Sequence, residues 1–339
     1  MRIVAIGGTR FIGRATVRRL LALGHEVMLV NRGQTSDDLP EGVTVITGDK
    51  SALAEHRAAF TAFMPDVVLH NMVITDADVR VIHDTFTDIA RRFVMISSID
   101  VYLPFNQLYR TEGGDLIDYP ITEESPLRSV WYPYRAFLKD ETDPRWFYDK
   151  IPAEQLTLAS VALPGTVLRL PMVYGERDYA RRLTPYLKPM IDGRPAMVMS
   201  SDAAAWRSTY GYIDNVAEGI TRAILDDRAS GRVYNLGEST PPLLEWVTRI
   251  KATLGWQGEI VTAPNADLPE ALRDDQDLRV HLAASDARIR AELDYVPLVT
   301  TDEAIRRTVA WERETLNPDT DYAAQLAYAA QDTFLAERT

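Results

Sequence analysis

The most telling chemistry in this sequence lies at its start. A short apolar run, 2–6, leads directly into Gly7-Gly8-Thr9-Arg10-Phe11-Ile12-Gly13, and residues 11–23 then carry the periodicity of a helix. Strand, glycine turn and helix in that order make a cradle for a diphosphate. Glycines let the backbone turn sharply and come close to a pyrophosphate, while the helix N-terminus offers unbonded N–H groups and a partial positive charge. The place of this turn between a strand and a helix is what gives the glycine spacing its weight. Other chemistries are excluded or unsupported. The chain has no cysteine, which removes thiolate nucleophiles, disulfides and thiolate metal sites. Its five histidines are scattered without metal-ligand spacing, so no metal is expected.

A diphosphate cradle needs a sheet behind it. Strand-like runs at 2–6, 26–30, 43–47, 66–70, 93–97 and 166–170 alternate with helical patterns near 11–23, 51–63, 76–91 and 144–160. This alternation predicts an α/β fold: a Rossmann-type doubly wound parallel sheet with a smaller, discontinuous C-terminal substrate-binding domain. Residues 1–170 form the dinucleotide-binding domain in this reading. Residues 171–315 form mainly the substrate domain, with helices near 216–225 and 243–254 and segments returning to the sheet; 316–339 form a helical tail. The stretch 102–143, rich in Pro, Gly, Tyr and charge, breaks the rhythm and reads as a lid-like excursion.

Bulk properties narrow the function further. A chain of 339 residues with 46% hydrophobic and 25% charged residues has the composition of a globular protein with a sizeable core. Forty-nine acidic against 37 basic residues give a net charge of −12, which disfavours a nucleic-acid partner. No apolar run is long enough to span a bilayer, and Met1 leads straight into a core strand rather than a signal peptide, so a cytoplasmic location is expected.

Six landmarks, in order, carry a resemblance. They are the glycine turn, Gly48-Asp49, Ser97-Ser98-Ile99-Asp100-Val101-Tyr102, Lys150 to Glu154, Leu168 to Gly175, and Tyr212-Ile213-Asp214-Asn215-Val216-Ala217. Together they resemble the extended, atypical branch of the short-chain dehydrogenase/reductase superfamily, the NAD(P)-dependent epimerases and dehydratases. The resemblance implies a cofactor site formed by Gly7, Gly8, Thr9, Arg10, Phe11, Ile12 and Gly13, with Asn31, Arg32, Asp49 and Lys150 around it. Asp49 reads equally well as a helix cap. The turn departs from the family in having Arg10 at the middle glycine position. Where an NAD enzyme places an acid after the second strand, this chain has Asn31-Arg32-Gly33. A guanidinium binds a 2′-phosphate that a carboxylate would repel, so Arg10 and Arg32 favour NADP over NAD.

The family's proton transfer uses a serine after the fifth strand and a Tyr-x-x-x-Lys helix. Counting from Val101-Tyr102 places Ser98 at the serine position, and Lys150, followed four residues later by Glu154, takes the lysine position. Four residues before Lys150 stands Trp146, whose indole donates but cannot act as an acid or base. Tyr134 and Lys139 are one residue too far apart for the motif. The tyrosine is therefore expected from Tyr148, if the helix starts late as Pro152 suggests, or from Tyr132 or Tyr134 on the excursion. Arg207 and Tyr102 are expected to contact substrate. The implied protein is a homodimeric NADP-dependent oxidoreductase, epimerase or dehydratase acting on a hydroxyl or carbonyl of a small polar substrate such as a sugar nucleotide. A non-catalytic NADP-binding regulator or scaffold, and an RNA-binding protein like the family's stem-loop-binding members, are the competing readings.

Overall fold

The computed structural model describes residues 1–34, 39–238 and 240–338. Strands β1 (Arg2–Ile6), β2 (Glu26–Asn31), β3 (Thr44–Thr47), β4 (Val67–His70), β5 (Arg92–Ser98) and β6 (Gly165–Leu170) occur where the apolar runs predict them. They pair in parallel, in the order β6-β5-β4-β1-β2-β3. Alternate residues of each strand enter different cores. Ile3 and Ala5 face one side with Leu29, Leu69 and Ile96, and Val4 and Ile6 face the other with Val30, Val68 and Met95. Both faces are buried along β1, β2, β4, β5 and β6, which is why these strands read as largely apolar runs, whereas the edge strand β3 is mostly exposed.

Helix α1 (Phe11–Ala22) follows β1, α2 (Arg57–Phe63) and α3 (Asp76–Phe86) follow β3 and β4, and α4 (Leu103–Leu108) and α5 (Lys150–Ala159) lie between β5 and β6. Strand β7 (Met172–Tyr174), helix α6 (Thr184–Ile191), strand β8 (Ala196–Ser200), helix α7 (Ser201–Ala205), strand β9 (Tyr210–Tyr212), helix α8 (Ile213–Leu225) and strand β10 (Val233–Asn235) come next. Strand β10 returns to pair with β6 and completes a seven-stranded sheet. Helix α9 (Leu243–Leu254), strand β11 (Glu259–Ala263), helix α10 (Ala287–Leu293) and helix α11 (Thr301–Thr315) follow, and β11 pairs with β8 in a small separate sheet. Helices α12 (Tyr322–Gln325) and α13 (Tyr328–Ala336) form the tail; Thr339, its expected last residue, lies outside the described residues. Phe334 of α13 packs with Val198, Ala263 and Leu268, so the tail covers the small sheet of its own chain.

One expected helix is broken. Instead of a continuous helix over 144–160, a short 3-10 turn at Pro144–Phe147 is followed by extended backbone at Tyr148 and Asp149, and α5 starts at Lys150. Asp149 is the cause. Its carboxylate caps Ile151 N and is gripped by both terminal nitrogens of the buried Arg128, at 2.7 and 2.9 Å. Pro152 then falls in the first turn, where its missing N–H has no consequence.

The excursion is packed rather than loose. Tyr102, Phe105, Leu108 and Ile121 share a cluster with Ile151 and with Val280, Leu282 and Ala284. A polar network fastens its base to the sheet. Arg169 of β6 pairs with Glu154 at 2.7 Å, both are buried, and Ser97 donates to the same carboxylate. Removing one member of such a pair strands a buried charge. Glu154→Ala is expected to lower the unfolding free energy by about 3–5 kcal/mol in urea titrations, whereas exposed pairs such as Arg80–Asp76 should change it by under about 1 kcal/mol when broken.

Candidate active site

The carboxyl ends of β1 and β4 flank the point where strand order reverses, and the glycine turn sits there. Gly7 has φ +72°, a conformation that glycine adopts at little cost and that strains other residues. Gly13 lies so close to the turn that an added Cβ would meet Gly7 O at 2.6 Å and Gly8 Cα at 2.8 Å. These are the two demands a diphosphate cradle makes: a tight turn and a helix pressed against the strand. Phe11 also holds a positive φ, +38°, with its ring edge-on to Tyr179 at 6.2 Å. Asn71 closes the floor by donating to Gly7 O.

Residues expected around the dinucleotide converge on the neighbouring strand ends. Asn31 ends β2; its Oδ1 accepts from Gly33 N at 2.6 Å, and its Nδ2 is buried without a partner. Arg10 and Arg32 are both exposed beside this edge of the site. Asp49 accepts from Ser51 N and Oγ through one oxygen, which together with the Arg32 charge keeps its carboxyl below the usual range. It thus closes a local turn, with its second oxygen outside that turn, and does not cap a helix: the 3-10 helix that follows, Leu53–His56, has Ala52 at its N-cap. A dinucleotide fits these residues: the cradle is formed, an amide donor is buried and unpaired, and two cations stand at the rim. His70, closing β4, is fully buried; burial drives its pKa down to about 3, so the ring is neutral and accepts from Met72 N.

The catalytic candidates meet at the end of β5. Ser98 accepts from Asp100 N at 3.3 Å and starts a 3-10 turn, Ile99–Val101. Tyr148 and Tyr134 both donate to the same oxygen of Asp100, at 2.8 and 2.9 Å, and their rings meet edge to face at 5.0 Å. Burial, and then the charge of Asp100, hold both phenols well above their usual pKa; Ser98 opposes this slightly at Tyr148. Lys150 donates to Ile96 O at 2.9 Å, and its ammonium lies 5.6 Å from the Tyr148 ring centre. Burial lowers its pKa to about 8 against the opposing charges of Asp100 and Glu154.

The structure therefore brings Ser98, Tyr148, Tyr134 and Lys150 together and adds Asp100. The sequence offered no signal for Asp100, because its partners lie 34 and 48 residues away. Two expectations need correction. Tyr132 does not join the cluster: its ring lies under the Arg135 guanidinium at 3.8 Å, and its N–H donates to Asp149. Tyr102 is fully buried, so it is no substrate contact. Its hydroxyl accepts from Arg169 and donates to Asn235, which joins β6 and β10 to the excursion. Trp146 contacts Arg135 and not the cluster. Arg207 is half-buried on another segment, donating to Thr240 O and facing the Tyr119 ring at 5.9 Å. Among the described residues no group of three or more acidic or histidine side chains is arranged to hold a metal. No helix there is long and apolar enough to cross a membrane.

Lys150 gives a test with a defined sign. A lysine whose pKa is about 8 folded and near 10.4 unfolded binds fewer protons in the native state between those values, so its contribution to stability improves as pH rises through that window. The stability of wild type relative to Lys150→Met should rise by roughly 3 kcal/mol between pH 8 and 10.5, measured by urea unfolding of both proteins.

Comparison with known proteins shows the family and the fold. The sequence matches the NAD dependent epimerase/dehydratase family over residues 3–106 and 131–237. It is 25% identical over 280 residues to a 2'-dehydrokanamycin reductase of Streptomyces kanamyceticus, covering 81% of this chain and 72% of the relative. It is 22% identical over 347 residues to a dTDP-glucose 4,6-dehydratase of Neisseria meningitidis, covering 91% and 92%. Among solved structures, a UDP-glucose 4-epimerase of Stenotrophomonas maltophila with bound NAD and formylated UDP-arabinopyranose superposes with a TM-score of 0.69 at 19% identity, covering 93% of this chain and 98% of that one. The UDP-glucose 4-epimerase of Thermotoga maritima with UDP-glucose gives 0.68 at 18%, covering 94% and 100%.

Proposed function

The chain belongs to the NAD-dependent epimerase/dehydratase family, and from that premise we propose that it is an NADP-dependent oxidoreductase, epimerase or dehydratase working on a hydroxyl or carbonyl of a sugar nucleotide or a similar polar sugar. The observation that carries this reading is the meeting of Ser98, Tyr148 and Lys150 at the end of β5, close to a formed diphosphate cradle. The names of the relatives, a reductase, dehydratases and epimerases of sugars, support the substrate class.

Gly7, Gly8, Thr9, Phe11, Ile12 and Gly13 would hold the diphosphate, Asn31 and Asp49 the adenosine side, and Lys150 the nicotinamide ribose. When bound, the nicotinamide gives or takes a hydride. The chain's own residues manage the oxygen. Tyr148 exchanges a proton with the substrate oxygen and Ser98 orients that oxygen by a hydrogen bond. The tyrosine missing four residues before Lys150 was the motive for a non-catalytic reading; Tyr148, carried in on extended backbone, supplies the same group from a different register. Residues 171–315, including Arg207, form the substrate side of the cleft in this proposal. The absence of cysteine fits work in the cytoplasm, and a homodimer follows the family resemblance.

Arg10 and Arg32 carry the choice of NADP over NAD: both are exposed cations with no acid at the end of β2 to repel a 2′-phosphate. Calorimetry should show NADP(H) binding more tightly than NAD(H). Arg10→Ala and Arg32→Ala should each weaken NADP(H) by roughly tenfold and leave NAD(H) nearly unchanged; tighter NAD(H) binding by wild type would refute the preference. With dTDP- and UDP-sugars as probes, Tyr148→Phe should bind cofactor normally and lose about 10²–10⁴-fold in turnover. Wild-type-like turnover by that variant would remove Tyr148 from the mechanism.

A further inference from the structure

Asp100 is 4% exposed and sits where the reacting oxygen's proton would be handled. Its Oδ2 accepts from two phenols at once, and its Oδ1 is buried with no hydrogen-bond partner. A phenolate at Tyr148 would stand across a hydrogen bond from a carboxylate, with a second phenol already directed at that carboxylate. Neither nearby cation is hydrogen-bonded to this carboxylate. Lys150, from α5, directs its ammonium to Ile96 O. Arg128, from the excursion, meets Asp100 only at its main-chain carbonyl and gives its terminal nitrogens to Asp149. Tyr134 and Tyr148, the other titratable groups facing Asp100, come from the excursion and from the stretch before α5. A free tyrosinate, the base formed when a lysine lowers a tyrosine's pKa, is therefore disfavoured in this arrangement.

We propose that Tyr148 is a proton bridge and that Asp100 is the terminal proton acceptor behind it. The proposal rests on Tyr148 being the substrate-facing hydroxyl, as set out above. In the oxidising direction the substrate O–H bond breaks and its proton joins Tyr148 Oη, while the Tyr148 O–H bond breaks and that proton joins Asp100 Oδ2. A bound oxidised dinucleotide would supply the acceptor for the carbon-bound hydrogen and its electron pair. The substrate becomes a carbonyl compound, Tyr148 remains a neutral phenol, and Asp100 becomes a neutral acid. Reduction runs the same transfers backwards, with Asp100 returning the proton. Two negative oxygens never face each other. Tyr134 stabilises the carboxylate end of the relay through its own hydrogen bond and ties the excursion to it.

The test follows the phenolate absorption band during alkaline titration of the full chain, which needs no substrate. Wild type, Y148F, D100N and D100N/Y148F are compared, with near-ultraviolet circular dichroism confirming native packing. The wild-type-minus-Y148F difference should be flat from about pH 6 to 10, because Tyr148 stays protonated. In D100N a phenolate absent from D100N/Y148F should appear at least about one pH unit below any Tyr148 ionisation in wild type. A Tyr148 phenolate in wild type titrating below about pH 9 would overturn the relay, and this reading stands on wild type and Y148F alone should D100N not fold. On a sugar nucleotide that wild type turns over, D100N should lose about a hundredfold in kcat with a small change in KM, and D100E should recover part of it. Turnover of D100N within threefold of wild type would also overturn the proposal. A flat wild-type difference without turnover on any sugar nucleotide or similar polar sugar would defeat the function proposed above and leave the relay standing. A low-pH phenolate with normal turnover would do the reverse.

Discussion

The Asp149 carboxylate governs the geometry of this site. It takes two nitrogens of Arg128, caps Ile151 N and receives Tyr132 N, and both charged partners are buried. Arg128 in turn donates from Nε to the main-chain oxygen of Asp100. One guanidinium thus binds the start of α5, the excursion and the turn after β5 into a single unit. A buried pair of this kind gains little over an apolar replacement in stability, but its directional hydrogen bonds fix register. Here the register is the start of α5. A helix begun one turn earlier would carry Tyr148 around its axis; begun at Lys150, it leaves Tyr148 extended, with its hydroxyl on Asp100.

Around that unit the two cores divide the labour. The face built on α1, α8 and α9 is large and apolar, and it positions the glycine turn. The opposite face, with α2, α3 and α5, is smaller and presents the end of β4 and Lys150. Between them the strand ends carry polar groups whose states are set mainly by desolvation: His70 is kept neutral, Lys150 is eased toward neutrality, and the phenols are kept protonated. Low dielectric raises the strength of every hydrogen bond in this cluster and the cost of any group left unpaired.

The fold was legible in the sequence wherever one residue type had to do one job. Strands buried on both faces must be largely apolar, so β1, β2, β4, β5 and β6 could be located to within a residue at each end. The glycine turn could be found because Gly7 needs a left-handed backbone and Gly13 needs the absence of a side chain. Strand β10 was missed because three residues, Val233–Asn235, carry no pattern until β6 lies beside them. The break before α5 was foreseen only through Pro152. Its cause, Asp149, looks like any polar residue until Arg128 reaches it from 21 positions away. Asp100 and Tyr102 show the same limit from opposite sides. They are two residues apart, yet one faces the site and the other faces Arg169 and Asn235 inside the protein. Which of them joins Tyr134 and Tyr148 depends on a 3-10 turn, and neither residue type announces that turn.

The seventh strand has a consequence for how the chain is made. Its residues, Val233–Asn235, follow β7 to β9 and α8, all of which leave the ribosome first. Until they emerge, the outer edge of β6 has open backbone donors and acceptors, and the Asn235 amide that Tyr102 requires has not been synthesised. About two thirds of the polypeptide must therefore exist before the nucleotide-binding half can seal its own border. A nascent chain in that interval presents an unpaired β edge, the kind of surface that invites chaperone capture or pairing with a neighbouring polysome product.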